Sequence, residues 1–137
     1  MNQKLLYLDS SAILKIVVSE PESRALLELL GDWPIRISSE LARTEVLRAL
    51  RRANVTVTQF RRGQTVLERI GLVPIDTRVL NDAAMLKPTT LRSLDAIHLA
   101  TAISLRHELG GVVTYDVRLS AAVSASKLAV WAPGSPH

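Results

Sequence analysis

Cysteine is absent from the 137 residues, which removes thiol catalysis, disulfide scaffolding and every thiolate zinc site and fits a reducing compartment. Long apolar runs are also missing. No window reaches the ~18 uncharged apolar residues that a spanning helix needs, although mean hydropathy is +0.18. In MNQKLLYLDSS the apolar stretch is cut short by Asp9, so no secretory signal is expected and the expectation is a cytoplasmic protein with no membrane partner. Glycine and proline number only 6 each, too few for a fibrous or low-complexity chain, and neither a repeat nor a linker interrupts the pattern. With 47% hydrophobic residues, a single domain over residues 1–137 is expected, with a loose tail over about 133–137. No Gly-rich loop follows an apolar run, which argues against a nucleotide-binding fold.

What is present is alternation. KLLYL (4–8) reads as a strand that stops at Asp9 and feeds a helix through SSAILKIVVSE. Pro21 fits the first turn of a second helix, ESRALLELL, which Gly31 ends. PIRI is a strand, followed by a long amphipathic helix from SSELARTEVLRALRRAN, with Ser38 or Ser39 as its N-cap and Leu41, Ala42, Val46, Leu47 and Leu50 as its buried stripe. A helix over about 57–69, the strand GLVPI and a helix capped by Asp76 come next. The helix from about Leu91 to Leu109 is apolar on nearly every side and so central, with Thr90 or Ser93 to cap it and Gly110-Gly111 to end it. GVVTY, DVRLSAAVSAS and LAVWA then give strand, helix and strand. The expectation is an α/β fold, a parallel sheet with helices on both faces. The functional crevice of such a sheet lies beyond the carboxyl ends of its strands.

Asp9 follows KLLYL and Asp116 follows GVVTY, so both carboxylates should stand at that rim. Each could equally be an ordinary helix N-cap. Glu45 lies at the edge of a buried stripe, where a surface pair with Arg48 or Arg43 would explain it. Asp95 is harder to explain away, because an unpaired carboxylate early in the most apolar helix costs several kcal/mol unless it faces a partner, a cleft or a cation. His98 reads as a satisfied core histidine and is left outside the site. Together the four acids suit a hard-cation site for Mg²⁺ or Mn²⁺. Such ions activate water and stabilise a leaving oxygen without a histidine base, which is chemistry suited to phosphodiester hydrolysis. Seventeen Lys and Arg against 13 Asp and Glu, with a pI near 10.0, make a polyanionic partner consistent with that site.

Four segments, YLDSSAILKIV, SELARTEVLRAL, SLDAIHLATA and VTYDVRL, resemble in order the acidic segments of PIN-domain nucleases, and specifically the toxin nuclease of a VapBC toxin-antitoxin pair. The resemblance covers essentially the whole chain. It implies a three-layer sandwich around a central parallel sheet, and Mg²⁺ or Mn²⁺ held chiefly by Asp9 and Asp95. Glu45 and Asp116 would complete the catalytic pocket directly or through water, with Ser10 and Thr114 as supporting polar groups. Many relatives carry a further acid soon after the equivalent of Asp116, where this chain has Val117 and Arg118, so the resemblance leaves the number of ions open. It further implies a metal-dependent endoribonuclease acting on RNA such as tRNA or rRNA, a homodimer, and a VapB-type antitoxin as partner, for which LLELL and Trp33 could supply an apolar groove. A phosphoaspartyl phosphatase would need an acid where Ser11 stands. The alternative from another class is a PIN-like module that binds RNA or protein without cutting.

Overall fold

The computed structural model describes residues 4–136. Among them the order is β1 (Leu5–Leu8), α1 (Ser10–Val17), α2 (Ser23–Leu30), β2 (Arg36–Ser39), α3 (Leu41–Arg52), α4 (Val57–Glu68), β3 (Gly71–Val73), α5 (Thr77–Ala84), α6 (Ser93–Ser104), β4 (Leu109–Val113), α7 (Val117–Ala125) and β5 (Val130–Trp131). The five strands form one sheet in the order β3-β2-β1-β4-β5, and every pairing is parallel. The α/β sandwich expected from alternating strands and helices is the observed fold.

Side chains alternate across each strand, and this divides the core into two layers. Leu6 and Leu8 of β1 join Ala12, Ile13, Leu26, Val46, Leu50 and Leu67, drawn from α1 to α4. Tyr7, between them, faces the other way and packs with Leu99, Ala102, Leu119 and Val123 of α6 and α7. β1 is thus covered on both faces and paired on both edges, and Asp9 follows directly from its C-terminal end.

Several boundaries differ from the sequence reading. Pro21 lies in the turn before α2, where Ser23 Oγ accepts from the Glu20 N–H and donates to the Lys15 carbonyl. Ser38 and Ser39 are buried in β2, and Glu40 takes the N-cap position of α3 without a side-chain cap. Arg92, rather than Thr90 or Ser93, precedes α6, which is shorter than expected. Gly110 and Gly111 do not end that helix but lie inside β4.

The reason is steric. A Cβ on Gly110 would stand 2.2 Å from the Trp33 ring, and one on Gly111 would stand 2.0 Å from the ring of Trp131. Those two indoles also lie against each other, with centroids 5.9 Å apart. The glycines are seats for large rings. Gly111→Ala should therefore cost about 1–3 kcal/mol by overpacking, read by urea denaturation. Most of that cost should disappear in a Gly111→Ala, Trp131→Leu double variant. Equal losses with and without the indole would show that the ring is not the obstacle.

Candidate active site

Asp9 is the residue after β1 and the N-cap of α1. Its Oδ1 accepts from the Ala12 N–H at 3.0 Å and from Ser11 Oγ at 2.7 Å, and its Oδ2 accepts from Thr114 Oγ1 at 2.6 Å. The side chain is almost wholly buried, and burial pushes its carboxyl up despite those hydrogen bonds. Asp116, just past β4, caps α7 through Oδ1, which accepts from the Arg118 and Leu119 N–H groups at 2.9 and 3.0 Å. Thr114 ties the two strand ends together, since its Oγ1 also accepts from the Asp116 N–H at 3.1 Å. Both aspartates are N-caps, and the capping leaves them lining a common cleft.

That cleft, about 350 Å³, is lined by Asp9, Glu45, Asp95 and Asp116 together with Ser10 and His98. Glu45 enters from α3. Its Oε1 accepts from Ser10 Oγ at 2.6 Å and lies 2.7 Å from His98 Nε2. Burial opposes its charge, but hydrogen bonds from His98 and Ser10 prevail and hold the carboxyl below the usual range. The surface pairing with Arg48 or Arg43 considered from the sequence is not the contact that Glu45 makes.

Asp95 stands in the first turn of α6, where the helix N-terminus favours negative charge. Burial and then the neighbouring Asp116 raise its pKa against the pull of Arg92. Arg92 spans these two acids. Its Nη2 lies 3.1 Å from Asp116 Oδ2, and its Nε lies 3.5 Å from Asp95 Oδ2.

His98 is buried and bonded at both ring nitrogens, with Nδ1 2.7 Å from the Tyr7 hydroxyl. It is a satisfied core histidine, as its sequence suggested, but it also lines the cleft and supports Glu45. Sequence reasoning left it out because its partners, Tyr7 and Glu45, are remote in the chain. Ser11 was missed as well: besides donating to Asp9 it accepts from the Tyr115 N–H at 2.9 Å. Arg92 was the more legible omission, since it lies three residues before Asp95 at helical pairing distance.

The donor set is carboxylate oxygen, the chemistry that Mg²⁺ and Mn²⁺ prefer. Among the described residues no three His, Asp or Glu side chains are grouped so as to hold an ion as they stand. Mg²⁺ commonly keeps several waters and takes only one or two carboxylates from a protein, so four acids around one cleft fit such an ion without a closed cage.

The PIN domain pattern matches residues 6–123, and the chain belongs to the PIN-domain family. Its relatives narrow the class to the VapC ribonucleases. Ribonuclease VapC46 of Mycobacterium tuberculosis strain H37Rv is 47% identical over 128 residues, spanning 93% of this chain and 97% of the relative. Ribonuclease VapC35 of the same strain is 40% identical over 137 residues, spanning 95% and 98%. The fold matches a chain of a toxin-antitoxin complex from Klebsiella pneumoniae, with TM-score 0.69, 21% identity and coverage of 93% and 97%. It also matches M. tuberculosis VapC20, a sarcin-ricin loop cleaving toxin, with TM-score 0.68, 13% identity and coverage of 85% and 94%.

Proposed function

We propose that this chain is an Mg²⁺- or Mn²⁺-dependent endoribonuclease toxin that hydrolyses RNA phosphodiester bonds in the cytoplasm. The observation that carries this reading is the convergence of Asp9, Glu45, Asp95 and Asp116, from two strand ends and two helices, on one cleft. A divalent cation bound there would supply Lewis-acid polarisation of the phosphate and a more acidic water. Asp9 and Asp95 would hold it, with Glu45 and Asp116 contributing directly or through water. Ser10 and His98 keep Glu45 ionised and aimed into the cleft, while Thr114 and Ser11 fix the rotamer of Asp9. Structured RNA such as tRNA or rRNA is the proposed substrate class, in keeping with relatives named as ribonucleases and a structural neighbour that cleaves the sarcin-ricin loop.

A VapB-type antitoxin is the proposed inhibitor, acting on a homodimer. LLELL is a poor seat for it, because Leu26 and Leu30 are taken up by the core and Leu27 is the exposed leucine of α2. A better candidate is the apolar hollow of about 400 Å³ at the α3–α4 turn, lined by Leu50, Val55, Val57 and Phe60.

Incubating purified protein with a tRNA tests the enzymatic reading. Cleavage should require Mg²⁺ or Mn²⁺, stop in chelator and decline as NaCl rises, because phosphate contacts hold the substrate. Cleavage at full rate after exhaustive chelation would remove the metal mechanism. RNA binding with no cleavage under any metal condition would favour the non-catalytic module.

A further inference from the structure

The proposed hydrolysis gives no role to Arg92, which lines the same cleft. It sits at the N-terminus of α6 with a side chain 69% exposed, yet its guanidinium bridges the inward-facing carboxylates of Asp95 and Asp116. Exposed ion pairs of this kind are weak and exchange readily. A divalent cation would compete for the same oxygens, and a guanidinium cannot yield by losing its proton, so it must move away. Once freed it remains at the cleft rim, where its planar fork matches two oxygens of a phosphate. Arg52, from the last turn of α3, lines the same cleft and gives the rim a second cation.

We propose that Arg92 exchanges partners, spanning Asp95 and Asp116 in the metal-free protein and holding an RNA backbone phosphate once those carboxylates take an ion. Arg92 thereby shields the acids while the cleft is idle and receives substrate only after the metal has arrived. This inference rests on the metal-dependent ribonuclease reading and adds an order of events to it.

Arg92→Gln and Arg92→Lys test it, with Mn²⁺ binding followed calorimetrically in the absence of RNA and KM followed across a range of NaCl concentrations. Arg92→Gln should bind Mn²⁺ roughly fivefold more tightly, since a competitor worth only weak pairing has gone. Its KM for RNA should rise about tenfold through loss of a charge-assisted contact. The dependence of log KM on log [NaCl] should become shallower by about 0.7, the signature of one lost contact to a single-strand phosphate. Arg92→Lys should keep the salt slope but raise KM, because a point charge replaces the fork. Unchanged Mn²⁺ affinity in Arg92→Gln would overturn the exchange, and unchanged KM and salt slope would overturn the phosphate contact. Parent protein that binds no Mn²⁺ or leaves RNA intact would instead strike the ribonuclease reading, and this inference with it.

Discussion

Asp95→Asn should reduce RNA cleavage roughly a hundredfold or more while leaving the metal-free protein as stable as its parent or more so. The side chain keeps its shape and loses a charge that its surroundings disfavour. Burial, Asp116 and Asp9 all push the Asp95 carboxyl up, and Arg92 and His98 only partly offset them. The folded pKa is therefore above the unfolded one, so the ionised group opposes folding at neutral pH. That penalty disappears as pH falls through the raised value toward the ordinary aspartate range. The stability advantage of the Asp95→Asn variant over its parent should accordingly be largest near neutrality and vanish in acid. Losing the exposed contact with Arg92 subtracts only a few tenths of a kcal/mol. Melts in chelator and in Mg²⁺ supply the check, because a ligand variant should also lose the rise in melting temperature that selective binding to the folded state produces. A variant that melts much lower in chelator, yet keeps both cleavage and the Mg²⁺ shift, would place Asp95 in a structural ion pair.

His98→Leu should behave in the opposite way and lose stability and activity together. The Tyr7 phenol is buried, and burial followed by the nearby Asp9 pushes its pKa far up, so it stays a neutral hydroxyl. When that hydroxyl donates to Nδ1, the Nε2–H of His98 is left to donate to Glu45. Leucine removes the middle of this chain, takes from the buried Tyr7 hydroxyl its 2.7 Å partner and leaves Glu45 with one bond fewer. The expected cost is about 2–4 kcal/mol, measurable by urea denaturation. Adding Tyr7→Phe should recover part of the stability, since removing both polar partners costs less than orphaning one. It should not recover cleavage, because Glu45 still lacks its bond to His98 and keeps only the one from Ser10. A His98→Leu variant as stable and active as the parent would make the three-residue chain irrelevant.

The two strand-end aspartates were legible because each follows a short apolar run and opens a helix, a purely local signal. Asp95 was legible from cost, as a carboxylate in an otherwise apolar helix. Glu45 and His98 were only half legible: the stripe of α3 placed Glu45 at a buried edge, but its bond to His98 joins α3 to α6 and has no local trace. Gly110 and Gly111 misled for the same reason. Two adjacent glycines after a helix resemble a stop, and the Trp33 and Trp131 rings that explain them come from remote segments. Ser38 and Ser39 resembled a cap because hydroxyls usually serve that purpose at a helix entrance; both belong to β2, yet Ser39 Oγ still accepts from the Leu41 N–H that opens α3, at 3.1 Å.

The sheet order also governs when the cleft can exist during synthesis. β1 is made before β4, and one of its edges stays open until β4 arrives and pairs Leu6 with Gly111 and Leu8 with Val113. The same late segment brings Thr114, which orients Asp9, and Asp116, which closes the rim. A chain broken off anywhere before β4 carries at most three of the four acids, with an unpaired edge on its central strand and its first aspartate unbraced. Without β4 the cleft thus lacks both an acid and the brace on Asp9 that the proposed metal site uses.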